Sequence, residues 1–385
     1  MKGLLKRIDE IGSTASCECD SSCCPSPGLS EASGTGPKPN RRDLFSRPWV
    51  SGWIATEAGE IPVVSSRLRV ADVLSTWRVR WGIGRMSYAT PAGLYALGNP
   101  GPDSSVFVTA NYKMSFDRLR EALAGLSAWL LVLDTRGINV WCSAGKGMFG
   151  TDELVKRIEE TGLSKIVAHR TLILPQLGAP GVASHEVTKR TKFKVVFGPV
   201  RARDIKAFLA AGMTATAEMR RVRFRFSDRI VLVPVEIVGV LTNKYVLALL
   251  LLWLLRLFGL RIPALDMPVF LGTLLVGAAL VPALLPWIPG KPFALKGWLL
   301  GLVWAAAVCL LRAIPLTTAK GILSALSYLL FLPALSAFLA MNFTGSSTLT
   351  SLSGVVKEMK RAVPLMMAAV IFSAAAAIAA AVLPR

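Results

Sequence analysis

Ser105-Val-Phe-Val-Thr-Ala-Asn-Tyr-Lys-Met-Ser-Phe-Asp-Arg-Leu-Arg-Glu-Ala-Leu-Ala-Gly-Leu-Ser-Ala-Trp-Leu-Leu-Val-Leu-Asp134 is the stretch that decides the fold. Residues 106–110 form a short apolar run of strand type, 115–126 read as a helix opened by a Ser cap, and 129–133 are a second apolar run. Strand, helix and strand in so short a span form a βαβ unit. The alternation continues outward. Residues 151–161 read as a helix with Asp152 and Glu153 in its first turn, where carboxylates suit the helix dipole. Residues 165–167 and 194–197 read as strands, 201–211 as a helix ended by Gly212, and 222–226 with 230–235 as a closing hairpin. This pattern predicts an α/β domain with a largely parallel, Rossmann-like sheet, whose ligands bind on loops at the carboxyl ends of strands.

That domain cannot account for the whole chain. The 385 residues are 53% hydrophobic with mean hydropathy +0.51, more apolar than a soluble core requires. The excess lies in the C-terminal part, in runs at 246–260, 269–288, 298–314, 322–341 and 363–383, each near the length of about 20 residues that spans a bilayer. Five transmembrane helices are therefore expected over 238–385, with Pro282, Pro286 and Pro333 as kink positions. Residues 1–46 lack periodicity, are rich in Ser, Pro, Gly and Cys, and are expected to be a disordered tail. They contain no apolar run of signal-peptide length, so the domain at 47–237 is expected in the cytoplasm, attached to the inner membrane. Lys291, Lys296, Lys357, Lys360 and Arg361 would then lie inside, against Arg261, Lys320 and Arg385 outside, in keeping with the positive-inside bias.

The net charge is +20, with 33 basic against 22 acidic residues before Val238 and 11 against 2 after it. For the membrane part, anionic lipid headgroups are sufficient counter-charges. In the soluble part no zinc-finger, helix-turn-helix or aromatic RNA-binding signature accompanies the charge, so nucleic acid is not an expected partner. The run from Arg220 to Arg229 alternates Arg221, Arg223 and Arg225 with Val222, Phe224 and Phe226, the period of a half-buried strand with a solvated arginine face.

The chemistry concentrates in residues 134–150, Asp-Thr-Arg-Gly-Ile-Asn-Val-Trp-Cys-Ser-Ala-Gly-Lys-Gly-Met-Phe-Gly. Gly145, Gly147 and Gly150 make a G-x-G-x-x-G, but it does not directly follow the strand and has no acidic residue about 20 positions on for a ribose. Gly145-Lys146 is followed by Gly147 and not by Ser or Thr, which excludes a phosphate-cradling P-loop. A thiol hydrolase pair of Cys142 with His169 or His185 has no local signature to support it. Taken alone, Cys142 reads either as a buried structural cysteine or as a thiolate ligand.

Asn139-Val140-Trp141-Cys142-Ser143-Ala144-Gly145-Lys146 resembles the signature of the mercury-methylating corrinoid protein family (HgcA), itself related to corrinoid iron–sulfur proteins. The similarity extends to Arg85-Met-Ser-Tyr88, Pro91-Ala-Gly-Leu-Tyr-Ala96, Val108-Thr-Ala-Asn-Tyr-Lys113, Leu177-Gly-Ala-Pro-Gly-Val-Ala183, Gly198-Pro-Val200 and the five-span tail. Ser143 stands where alanine is frequent in the motif. The resemblance implies a cobalamin-type corrinoid on a cap helix, with the Cys142 sulfur as axial ligand to cobalt. Small residues at 143–145 let backbone approach a flat macrocycle, and thiolate is a soft, strongly donating ligand. Neither His169 nor His185 stands in the Asp-x-His-x-x-Gly context of histidine-ligated cobalamin domains, so a corrinoid held without a histidine lower ligand is expected. Trp141 is expected at the corrin edge and Lys146 near a corrin amide. The loops 109–115 and 178–182, with Thr109, Asn111, Tyr112, Ser115, Gly178, Ala179, Pro180, Gly181 and Val182, are the candidate remaining walls.

The activity implied is transfer of a methyl group from methyl-Co(III) corrinoid to thiol-bound mercury(II), producing methylmercury. The methyl group would come from a folate-linked donor through another corrinoid methyl-donor methyltransferase. The chain has no cluster motif of its own, so electrons would come from the family's ferredoxin with two four-iron four-sulfur clusters (HgcB). A membrane-anchored methyl carrier for one-carbon metabolism shares every fold feature and remains the alternative. A transporter built on the spans is disfavoured, because only Arg256 and Arg312 are ionisable groups well inside them. Cys17, Cys19, Cys23 and Cys24 crowd the tail of a chain in a reducing compartment, where disulfides are not expected. Mercury capture by these thiols, or a dispensable tail, are the two readings of that cluster.

Overall fold

The computed structural model describes Arg42, residues 45–255, 266–343 and 352–383. Cys17, Cys19, Cys23, Cys24, Arg256, Arg261 and Arg385 lie outside the described residues. Two compact units are present, one of residues up to Thr76 with Gly84–Arg221, the other of Trp77–Ile83 with the chain from Val222 onward.

The first unit is built on one seven-stranded sheet of β1 (Val50–Thr56), β2 (Gly59–Val64), β3 (Gly93–Leu97), β4 (Val106–Ala110), β5 (Ala128–Leu133), β6 (Thr171–Leu174) and β7 (Lys194–Phe197), in the order β1-β2-β3-β5-β4-β6-β7. Strands β5, β4, β6 and β7 are mutually parallel, β3 runs antiparallel to β5, and β1 and β2 form a hairpin joined through β2 in parallel to β3. The largely parallel α/β sheet is as expected. Side chains alternate between two cores: Val106, Val108 and Ala110 of β4 enter one, and Phe107 enters the other. The first core is covered by helices at Val140–Gly145, Thr151–Thr161 and Ser184–Thr191, the second by those at Lys113–Ala122 and Ile205–Ala210. We number α1 (Val70–Arg80), α2 (Lys113–Ala122), α3 (Val140–Gly145), α4 (Thr151–Thr161), α5 (Leu163–Ile166), α6 (Ser184–Thr191) and α7 (Ile205–Ala210).

Several local expectations are corrected. Helix α2 begins at Lys113 with Tyr112 as its cap and not at a Ser cap, because Lys113 N–H is donated to Tyr88 O and Ser115 falls in the first turn. The strand expected at 165–167 is the one-turn helix α5. Gly162, in the left-handed region, ends α4, and the chain turns at once to bury Leu163 and Ile166. No hairpin closes the domain. Phe224 takes a positive φ, and α8 (Phe226–Ile230) and α9 (Val233–Leu241) follow. The buried Arg229 guanidinium donates to Phe224 O and Ala283 O, fixing this helical corner within the second unit.

The second unit continues with α10 (Lys244–Leu255), and the rest of the first expected span, 246–260, lies outside the described residues. Among the described residues, four helices are long and apolar enough to cross a membrane: α11 (Met267–Leu284), α12 (Phe293–Leu311), α13 (Ala319–Asn342) and Gly354–Val382 of α14 (Leu352–Val382). A π-helical turn at Val276–Leu280 precedes Pro282, which has no N–H to return to the carbonyl four residues earlier. Side chains added at Gly297 and Gly301 would strike Ala337 and Pro333, so these two glycines set the close approach of α12 to α13.

A buried ionic cluster ties α1 to α2 in the first unit. Arg120 is fully buried and donates to Asp117, Asp72 and the carbonyls of Ser65 and Arg67, while Lys113 bridges Asp72 and Asp117. Burial alone would push the Asp72 carboxyl up. The Arg69 N–H, Lys113 and Arg120 outweigh it and hold the carboxyl below its ordinary range. Its stabilising contribution is thus full above the unfolded carboxyl value of about 3.9 and is lost as pH falls through the lower folded value. Arg120→Met leaves two buried carboxylates to share the single cation of Lys113, one charge short, and is expected to cost about 3–5 kcal/mol. Denaturant unfolding of the full chain in detergent, followed by circular dichroism, measures this.

Candidate functional site

At the carboxyl edge of β4, β5 and β6 three loops converge, and one side chain organises them. Asn111, just past β4, is buried, and its Oδ1 accepts from Thr135 N–H at 3.1 Å and Gly137 N–H at 2.9 Å. Its Nδ2 donates to Asp134 Oδ1 at 3.0 Å, and that same oxygen accepts from Arg136 N–H at 3.0 Å. The turn after β5 needs this support, because Arg136 and Gly137 both take positive φ. Glu153 of α4 accepts from Asp134 N–H at 2.8 Å and closes the other side.

The turn delivers the chain into α3 at Asn139. The Asn139 carboxamide caps the helix by accepting from Cys142 N–H at 3.0 Å, and its Nδ2 reaches Cys142 Sγ at 3.6 Å. Val140, Ser143 and Ala144 face inward, and the Ser143 hydroxyl donates to Asn139 O at 2.7 Å. Trp141, Cys142, Gly145 and Lys146 are exposed together on the other face. A side chain added at Gly145 would meet nothing within 4 Å, so packing inside the chain does not explain the glycine. It leaves a flat, open surface beside the Cys142 sulfur.

The loop after β6 packs on the helix from behind. A Cβ at Gly178 would lie 2.5 Å from the Phe149 ring, and one at Gly181 would lie 2.2 Å from Phe149 O and 3.1 Å from the Ala144 Cα. The structure therefore brings Asn139 to Lys146 and Gly178 to Val182 into one site. Within the second loop Pro180 is exposed and Ala179 partly so, whereas Gly178 and Val182 are buried. Thr109, Asn111 and Tyr112 are buried too, and Ser115 is partly buried in the first turn of α2. Of these, Asn111 holds the turn that leads into α3, and the exposed residues at this edge are those of α3 and Pro180.

His169 belongs to the opposite edge. It precedes β6, with its Nε2 2.9 Å from Ser104 O and its Nδ1 accepting from Thr171 N–H at 3.2 Å. His185 is exposed on α6 beside Glu186. One support had no motif to announce it, the fully buried Phe149, while Asn111, named as a candidate wall, holds the turn after β5. The paired glycines at 178 and 181 were the available signal for a close backbone approach.

The family model described as CO dehydrogenase/acetyl-CoA synthase delta subunit matches residues 80–209, the part that carries this site. The gamma subunit of the acetyl-CoA decarbonylase/synthase complex from Archaeoglobus fulgidus is 36% identical over 119 residues, covering 30% of this chain and 25% of that protein. The same subunit from Methanocaldococcus jannaschii is 33% identical over 127 residues, covering 32% and 26%. That from Methanothermobacter thermautotrophicus is 30% identical over 182 residues, covering 43% and 39%. The chain thus spans about a quarter of the length of the first two of these relatives, and the matched family region ends before the apolar helices.

Gly181→Ala is expected to destabilise the first unit by about 1–3 kcal/mol, the usual range for overpacking, because backbone atoms and not flexible side chains oppose the new methyl group. Hydrogen exchange should rise at the amides of Met148 and Phe149, which are donated to Ser143 O, while β5 stays protected. Amide exchange read by mass spectrometry on the full chain tests both statements.

Proposed function

We propose that the exposed face of α3 binds a corrinoid with the Cys142 sulfur as axial ligand to cobalt, and that the chain is a membrane-attached, corrinoid-dependent methyltransferase acting on mercury(II). One observation carries the cofactor reading: an exposed thiol, held by its own helix cap, stands beside a glycine with open space above it at the carboxyl edge of a parallel sheet. The motif resemblance and the similarity to acetyl-CoA decarbonylase/synthase subunits over the same residues support it.

A corrinoid, when bound, would supply a transferable methyl group whose reactivity depends on the protein ligand given to its cobalt. The residues of this chain define that ligand. Asn139 holds the Cys142 backbone and sulfur in one orientation. Cys142 as a thiolate is a soft, strong donor, which favours transfer to a soft electrophile such as mercury(II). Gly145 leaves room for a planar ring, Trp141 lines one edge, and Lys146 presents a cation to polar substituents. Among the described residues no cluster of cysteines accompanies the site, and the reading assigns electron supply to a ferredoxin with two four-iron four-sulfur clusters (HgcB). Methyl supply falls to a separate methyltransferase, and the four long apolar helices among the described residues support attachment to the inner membrane, with the site on its cytoplasmic side.

The second reading, a membrane-attached methyl carrier for one-carbon metabolism, is favoured by the similarity to gamma subunits of the acetyl-CoA decarbonylase/synthase complex. It predicts corrinoid loading without methylmercury formation. The tail thiols Cys17, Cys19, Cys23 and Cys24 are assigned to mercury capture, so deletion of residues 1–40 should lower methylmercury yield at limiting mercury and leave corrinoid content intact.

Two substitutions test the centre. Cys142→Ala should abolish methylmercury formation with the fold unchanged, and Cys142→His should retain part of the corrinoid but lose most activity, because imidazole is a weaker donor. Methylmercury per bound corrinoid is the readout, and an alanine variant as active as the parent would overturn the ligand assignment. Gly145→Ala separates binding from folding. Its unfolding free energy should rise by up to about 1 kcal/mol from helix propensity, while corrinoid content, read from the visible spectrum of anaerobically purified protein, falls.

A further inference from the structure

The second unit contains a cavity of about 670 Å³ walled by α12, α13 and α14, to which nothing above assigns a role. Its lining is divided by chemistry. Lys291, Lys357 and Arg361 stand at one end, and all three are exposed. Among the described residues the only acid in the lining is Glu358, whose Oε1 already accepts from Ala294 N–H at 2.6 Å. From there the walls become apolar. Leu295, Trp298, Leu365 and Met366 line the sides. Ala334 and Ala337 of α13 make a floor too shallow to fill the space. Along α14 the lining runs from Gly354 to Ala369, and its apolar part beyond Arg361 rises about 12 Å at ~1.5 Å per residue. That is close to one leaflet of a hydrocarbon core about 30 Å thick.

We infer that this cavity is a binding site for one anionic phospholipid, with its phosphate against Lys291, Lys357 and Arg361 and an acyl chain in the apolar groove. Charge selects the ligand. Three cations against one engaged carboxylate leave a net positive mouth, which a zwitterionic headgroup does not neutralise and an anionic one does. Length selects it as well, since a groove one leaflet deep suits an acyl chain and offers a free phosphate only its mouth. The same basic end carries Lys291, Lys357 and Arg361 of the positive-inside set, which places the bound headgroup in the inner leaflet. The inference is independent of corrinoid chemistry, and it draws on the membrane reading only for the source of the lipid.

The test uses the full chain purified in detergent, with native mass spectrometry to count bound phosphatidylglycerol or phosphatidylcholine. The parent should retain phosphatidylglycerol in preference to phosphatidylcholine, and excess inorganic phosphate should not displace it. Lys357→Gln with Arg361→Gln should weaken phosphatidylglycerol binding about thirtyfold, at roughly fivefold for each basic residue near a headgroup, and leave phosphatidylcholine unchanged. Ala362→Phe, which fills the groove without touching its charge, should lower retention of both lipids. Corrinoid content should stay at the parent level in every variant, so failure here is distinct from failure of the proposed function. Equal retention of the two lipids by the parent, unchanged phosphatidylglycerol binding in the double variant, or displacement by phosphate would each overturn the site.

Discussion

The carboxamide of Asn111 is the interaction on which the geometry at the sheet edge depends. A strand that ends in a ligand-bearing loop must convert an extended backbone into a helix within a few residues. Here the conversion passes through two residues of positive φ, Arg136 and Gly137. For Arg136, a side chain other than glycine, that conformation is unfavourable, and it persists because neighbouring groups over-determine it. Asn111 Oδ1 accepts from two backbone amides of the turn, and Asp134 Oδ1 accepts from a third. An aspartate at 111 would keep the acceptor but lose the donation to Asp134, setting two carboxylates side by side. The position of the Cys142 sulfur is thus fixed two steps away, by a polar residue on a neighbouring strand.

Glycine enters the site in two opposite ways. At 178 and 181 it is used for contact, since ring and backbone atoms already occupy the space where a side chain would begin. At 145 it is used for absence, because nothing in the chain fills the space. The first kind is an internal requirement of folding, and the second is not set by any packing inside the chain. The difference is visible only with coordinates, because the three residues look alike in a sequence.

The central βαβ unit, helix α4 and strand β7 were legible in the sequence because their apolar residues follow simple periods and their flanks carry ordinary stop signals. The motif around Cys142 was legible because it is contiguous. Strand β3 was not read as a strand: Gly-Leu-Tyr-Ala-Leu opens on glycine and has no β-branched residue, whereas β4 and β5, equally buried, are apolar runs that include valine. The run from Arg220 to Arg229 misled for the converse reason. Its alternation of arginine and apolar residues is that of a strand, yet long-range contacts decide it, with Phe224 packed against Val281, Leu285 and Phe343 and Arg229 held on Ala283. The turn-holding role of Asn111 was hidden too, because a sequence places a residue near a site without naming the groups it bonds.

The linear order of the elements carries a consequence for how the protein is made. Every strand of the sheet, from Val50 to Phe197, precedes the first of the long apolar helices among the described residues, at Met267, and about 70 residues lie between them. At translation rates of roughly 5–20 residues per second, that interval lasts several seconds. Mixed α/β domains of this size commonly fold within milliseconds to seconds. The first unit therefore has time to close its sheet on the ribosome before those helices emerge. Its apolar strands are withdrawn into a core before longer apolar segments can pair with them.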